Sequence, residues 1–138
     1  MTTIIRLSID AMGGDHAPTI VMDGLAQFIA RNSDVQFLLH GDRAQLQPFL
    51  DQNAELQARC EIAHTEIKVG SGDKPSVALR SGRDSSMWNA IEAVKTGEAN
   101  AAISAGNTGA LMAISMVRLK RMKGVHRPAM TALWPTLT

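Results

Sequence analysis

Apolar residues along this chain fall into two alternating textures. Short runs such as Ile4 to Ile9 carry little polar alternation, as strands buried on both faces do. The longer stretches between them repeat apolar positions every three or four residues, the spacing of a helix with one buried face. The pattern predicts strands over residues 4–10, 35–40, 60–64, 100–104 and 129–134, and helices over 19–31, 43–51, 75–80, 85–96 and 108–121. Such alternation predicts an α/β fold with three α/β/α layers around a mostly parallel, Rossmann-like sheet. Turn and cap residues agree with it. Pro18 suits the first turn of the first helix, Asp42 can cap the second, Asp84 or Ser85 the fourth, and Gly97 and Gly124 stand where helices close. In the last helix Leu111, Met112, Ser115, Val117 and Leu119 place small or apolar side chains around both long faces, which predicts an interior helix. No repeat, low-complexity tract or linker divides the chain, so residues 1–138 are expected to form one domain. The chain stops at Thr138, directly after the last strand candidate, so the sheet reads as incomplete at its C-terminus, with an exposed edge at 129–134 that invites dimerisation.

Composition narrows the partners. The 138 residues are 45% hydrophobic and 20% charged, enough to build a real core. Fourteen basic residues stand against 13 acids for a net charge of +1, which supplies no field for nucleic acid or an anionic membrane. One cysteine, Cys60, excludes an intramolecular disulfide framework and fits a cytoplasmic protein, with the thiol acting as a small buried side chain. No secretory signal or segment of transmembrane length is present. With 4% aromatics, no Tyr and 8 Met, the core should be aliphatic and sulfur-filled. His40, His64 and His126 lack metal-ligand spacing, no serine stands in a nucleophile elbow, and neither a metal nor a cofactor is expected.

Two loops carry the candidate chemistry. The first, Asp10-Ala-Met-Gly-Gly-Asp-His-Ala-Pro18, follows the first strand, where Gly13 and Gly14 allow a sharp bend and close approach of backbone to a ligand. Its acids, Asp10 and Asp15, can hold a proton, a metal or a ligand hydroxyl; as a plain structural turn they would instead be caps. His16 is the tempting base, although a lone loop histidine is ordinarily a surface residue. The second loop, Ser104-Ala-Gly-Asn-Thr-Gly109, leaves a buried-looking strand and opens a helix. Free N–H groups and the helix dipole there favour an anion, Gly106 and Gly109 permit close approach, and Asn107 and Thr108 add side-chain hydrogen bonds. Phosphate is the natural ligand, in neither a dinucleotide fingerprint nor a Walker loop. A helix end contributes only about 0.3–1 kcal/mol to an exposed anion, whereas a charge-assisted hydrogen bond contributes about 1.5–3 kcal/mol, so cations must help. Lys74, Arg80 and Arg83 stand ready in a hydroxyl-rich segment, whose start overlaps Gly-Ser-Gly-Asp-Lys at 70–74, a candidate active-site loop. In an open α/β sheet ligands gather beyond the carboxyl ends of strands, where both glycine loops lie.

Taken together, the Asp10 to Pro18 loop, the Lys74 to Met87 segment, Ser104-Ala-Gly-Asn-Thr-Gly-Ala110 and Arg127-Pro-Ala129 resemble the acyl-ACP:phosphate acyltransferases of bacterial phospholipid synthesis, over the N-terminal part of that family. The resemblance implies a fold akin to isocitrate and isopropylmalate dehydrogenases and to phosphate acetyltransferases. It implies transfer of a fatty acyl group from acyl carrier protein to inorganic phosphate, giving an acyl phosphate for a glycerol-3-phosphate acyltransferase. It further implies a homodimer associated peripherally with the inner face of the membrane. On this reading Asp10, Asp15 and Asn107 are the catalytic candidates. Gly13, Gly14, His16, Lys74, Arg80, Ser104, Gly106, Thr108 and Gly109 bind substrate. Phosphate is itself the nucleophile, so the missing Ser or Cys nucleophile is expected. With the family's C-terminal part absent, the isolated chain should be poorly active. The competing reading is a truncated, non-catalytic phosphate- or nucleotide-binding domain. An NAD-linked dehydrogenase is a weaker rival, because the dinucleotide fingerprint is missing.

Overall fold

The computed structural model describes residues 4–136, and Thr138 lies outside them. Four strands, β1 (Ile5–Asp10), β2 (Val35–Gly41), β3 (Cys60–His64) and β4 (Ala101–Ser104), form one parallel sheet in the order β3-β2-β1-β4. The chain steps outward from β1 through α1 (Thr19–Ile29) to β2, then through α2 (Arg43–Asp51) and α3 (Ala54–Arg59) to β3. It then returns through α4 (Pro75–Ser81) and α5 (Ser86–Lys95) to place β4 on the far side of β1, and α6 (Thr108–Arg118) follows. The direction of winding therefore reverses between β1 and β4. In a doubly wound sheet that reversal leaves a crevice beyond the strand ends.

Alternation along the buried strands divides the core between two faces. Ile9, Phe37, Leu39 and Ile62 meet Met22, Leu25, Leu46 and Leu56 from α1, α2 and α3. Leu38 meets Ala93 and Ala99 beside α5 on the other face. There α4, α5 and α6 close around Ala78, Met87, Ile91, Ala110 and Ile114. Arg118, at the end of α6, donates from two nitrogens to both oxygens of Glu92 at 2.7 Å each and lies over the Trp88 ring, 5.3 Å from its centroid. That paired contact fixes α6 on α5 and holds the Glu92 carboxyl below its ordinary pKa.

Several expectations require correction. Residues 129–134 form no strand: they pair with no neighbour, with Leu133 and Trp134 exposed, so the sheet edges among the described residues are β3 and β4. An apolar run is a strand only where a neighbour offers hydrogen bonds. Helix α6 is not interior, because α4 and α5 cover one side and leave Met112, Met116, Val117 and Leu119 exposed. It ends at Arg118, and the left-handed residue after its C-cap is Lys120; Gly124 takes positive φ in a later turn. Pro18 stands at the N-cap of α1 rather than inside its first turn. The unanticipated α3 is a single six-residue stretch with Leu56 buried, started by Asn53, whose side chain accepts from the N–H groups of Glu55 and Leu56. Of the two cap candidates for α5, Ser85 accepts from the Trp88 N–H while Asp84 adopts a positive φ of 64°.

Candidate functional site

The reversal point brings the two glycine loops side by side. Asp10 and Ser104 are directly paired in register as the last residues of adjacent strands, so the loops leave the sheet at one level. They then touch backbone to backbone. A Cβ on Gly13 would lie 2.4 Å from Asp10 Oδ2 and 3.0 Å from the Gly106 nitrogen, and one on Gly106 would lie 3.2 Å from Gly13 Cα. Gly14 has φ +105°, and a Cβ there would also crowd the Ala105 carbonyl at 3.1 Å. No other residue type fits these positions without moving a neighbour.

Above this seam opens a cleft of about 380 Å³, lined by Gly14 and Asp15, by Ser71, and by residues 105–109 at the start of α6. The first N–H groups of a helix have no acceptor within it, so those of Thr108 and Gly109 are available to a ligand. Asp15 faces them, its Oδ1 accepting from the Ser71 hydroxyl at 2.8 Å. Asn107 is the N-cap of α6. Its side-chain oxygen accepts from the Ala110 N–H at 3.0 Å, and its amide nitrogen reaches the carbonyls of Asp73, Ser71 and Gly70 at 2.7, 3.2 and 3.3 Å. Both ends of the amide are thus engaged within the protein, and Asn107 joins the 70–73 loop to the helix that opens into the cleft. Pro75 continues that contact, because a Cβ on Gly109 would meet its Cγ at 3.0 Å.

Lys74 is the exposed N-cap residue of α4, next to Pro75, and Arg80 sits in the last turn of that helix; neither lines the cleft. His16 is exposed on the first loop and likewise lies outside the lining. Asp10 is buried at 2% exposure beneath the loops, where its Oδ2 accepts from the Ser104 hydroxyl at 2.7 Å. Ser104 Oγ in turn accepts from the Gly106 N–H at 3.1 Å. Neither Asp10 nor Asp15 serves as a helix cap. Ser71 falls in the Gly-Ser-Gly-Asp stretch that the sequence marks as a loop, but its pairing with Asp15 spans 56 positions and has no sequence signal.

One buried polar pair has no counterpart in the sequence reading: His40 Nε2 lies 3.0 Å from Ser8 Oγ. Burial, aided by the charge of Arg6, pushes the His40 imidazole down to about 4, so it is neutral at physiological pH. Burial also pushes the Cys60 thiol up to about 11, against the pull of Arg59, which leaves a protonated and unreactive side chain. Among the described residues no group of three or more His, Cys, Asp or Glu could hold a metal ion, and no helix is long and apolar enough to cross a membrane.

The family described as "Fatty acid synthesis protein" matches residues 5–138, which takes in both glycine loops and the 70–73 loop. The chain belongs to this family. Relatives named phosphate acyltransferase include those of Azorhizobium caulinodans, 53% identical over 138 residues, and Maricaulis maris, 54% identical over 138 residues. That of Bradyrhizobium diazoefficiens is 52% identical over 137 residues. Each alignment covers 99% of this chain and 39% of the relative, so the chain spans about two-fifths of the length of these family members. The cleft, its two glycine walls and the Asn107 tether all lie within the stretch shared with the family.

Proposed function

We propose that the cleft binds inorganic phosphate and presents it to a fatty acyl thioester, so that the protein acts as a phosphate acyltransferase. The carrying observation is the start of α6, which opens into the cleft between two glycine loops at the winding reversal. The names of the relatives point to the same chemistry.

Hydrogen phosphate needs no protein nucleophile, and no imidazole or thiol lines the cleft. A phosphate oxygen attacks the thioester carbonyl, and the resulting oxyanion is met by backbone N–H groups of the glycine loops. The C–S bond breaks, the thiolate takes the proton released by hydrogen phosphate, and the products are an acyl phosphate and a thiol. The N–H groups of Thr108 and Gly109 hold the phosphate, with Lys74 and Arg80 of α4 and its N-cap as the cations that assist. Asp15 and Gly14 shape the opposite wall, over Gly13, with His16 further out on the same loop. Nothing in this scheme requires a metal or organic cofactor.

The acyl donor in this proposal is acyl carrier protein, and the acyl phosphate passes to an enzyme that acylates glycerol 3-phosphate. The protein works in the cytoplasm as a homodimer held peripherally at the inner face of the membrane.

The test combines phosphate titration by calorimetry with an assay of thiol release from a long-chain acyl thioester of acyl carrier protein. Both are run on this chain and on a protein of the relatives' length. Phosphate binding to both, with phosphate-dependent thiol release by the longer protein, supports the proposal. Binding without release by either supports a non-catalytic phosphate-binding domain. Absence of phosphate binding overturns the reading of the cleft.

A further inference from the structure

The Asp10 carboxylate is the most deeply buried acid near the cleft, yet it does not line the cleft. It sits in the seam between the glycine loops, where Gly13 has no room for a Cβ because Asp10 Oδ2 occupies that space. One carboxylate oxygen accepts from Ser104, and the other has no hydrogen-bond partner. Ser104 passes the contact on by accepting from the Gly106 N–H. Gly106 is the last residue before the N-cap of α6.

We infer that Asp10 is a positioning residue for phosphate: acting through Ser104, it draws the Gly106 N–H back into the seam and so sets the direction in which the first turn of α6 faces the cleft. This rests on the reading that the cleft binds phosphate. The geometry separates it from acid–base catalysis. An acid or base must come within hydrogen-bond reach of the reacting atoms, and Asp10, buried in the seam against Gly13, is not among the residues that line the cleft. What the relay requires of position 10 is an acceptor for the Ser104 hydroxyl. An asparagine supplies that acceptor, and an alanine does not.

The experiment uses Asp10→Asn, Asp10→Ala, Ser104→Ala and the Asp10→Ala/Ser104→Ala pair in a protein of the family's full length, with two readouts. Hydrogen exchange at the Gly106 N–H reports the relay without any substrate. It is expected to stay slow in wild type and Asp10→Asn, and to quicken at least tenfold in Ser104→Ala and Asp10→Ala. Steady-state kinetics report the consequence. Asp10→Ala and Ser104→Ala are expected to raise the phosphate KM about tenfold with a smaller effect on kcat. The double variant should be no worse than either single one, because all three break one chain of contacts. Asp10→Asn should keep KM within about threefold of wild type and leave the pH profile of kcat/KM unmoved.

The inference is overturned if Asp10→Asn is as damaged as Asp10→Ala and loses a limb of the pH profile, since that outcome makes the carboxylate an acid or base. It is also overturned if Gly106 exchange ignores Ser104→Ala. If Asp10→Ala fails to fold, Gly106 exchange in Ser104→Ala tests the relay and the pH profile of Asp10→Asn tests for an acid or base. Wild-type protein that neither binds phosphate nor turns over, while Gly106 exchange responds as expected, would sink the reading of the cleft and leave the relay standing.

Discussion

Asn107 donates its side-chain amide to the main-chain carbonyl of Asp73 at 2.7 Å, tying the start of α6 to a loop 34 residues earlier in the chain. The same side chain caps the helix through its oxygen. One residue therefore controls both the order of the helix terminus and the position of the loop that carries Ser71 into the cleft.

These two duties can be separated. Serine is a good N-cap but is too short to reach the loop carbonyls, whereas alanine loses both contacts. Asn107→Ala is expected to destabilise the protein by about 0.5–2 kcal/mol from the cap alone. Asn107→Ser should recover most of that. Both should weaken phosphate binding about tenfold and expose the 70–73 amides to faster exchange, as read by calorimetry and hydrogen exchange. Undiminished phosphate affinity in Asn107→Ser would show that the tether does not serve the cleft.

The glycine seam predicts opposite outcomes for two alanine substitutions. Gly13→Ala forces a methyl group to within 2.4 Å of Asp10 Oδ2 and should cost about 1–3 kcal/mol, with loss of phosphate binding as the loops part. Gly24, inside α1, has nothing within 4 Å of its would-be Cβ. Gly24→Ala should therefore stabilise the fold by about 0.5–1 kcal/mol through helix propensity. Chemical denaturation of both variants measures the pair.

His40 gives the stability a defined pH dependence. Its pKa falls from 6.5 to about 4 on folding, so between these values the unfolded chain binds a proton that the folded protein does not. Stability from this group is complete above pH 6.5 and is lost as the pH drops toward 4, amounting to about 3 kcal/mol at 4% exposure. Denaturation curves of wild type and His40→Gln across pH 4–7 should differ in slope within that window and run parallel above it. Equal slopes throughout would remove His40 from the account.

Much of the candidate site is legible in the sequence, because its signals are local. Asp42 and Ser85 cap the helices they precede, and Gly97 follows α5 with φ +80°, since caps and left-handed turns depend on a few adjacent residues. Gly13, Gly14, Gly106 and Gly109 stood out because paired glycines after an apolar run mark a strand exit. The position of each side chain within the site was not legible. Asp15 and Asp10 are both acids on one loop, yet Asp15 lines the cleft and Asp10 is sealed beneath it. Nothing nearby in the chain distinguishes them, because Ser104 and Ser71 lie on other elements.

By itself, the sequence determined the alternation of strands and helices and the placing of glycine loops at strand ends, for periodicity and turn chemistry act over a few residues. Only the tertiary structure decided the order β3-β2-β1-β4, and with it that the two loops are neighbours. It also decided that Asp10 is buried between them, that Asn107 holds a distant loop, and that residues 129–134 remain unpaired. Strand pairing and burial depend on which surfaces meet, and those contacts join residues far apart in the chain.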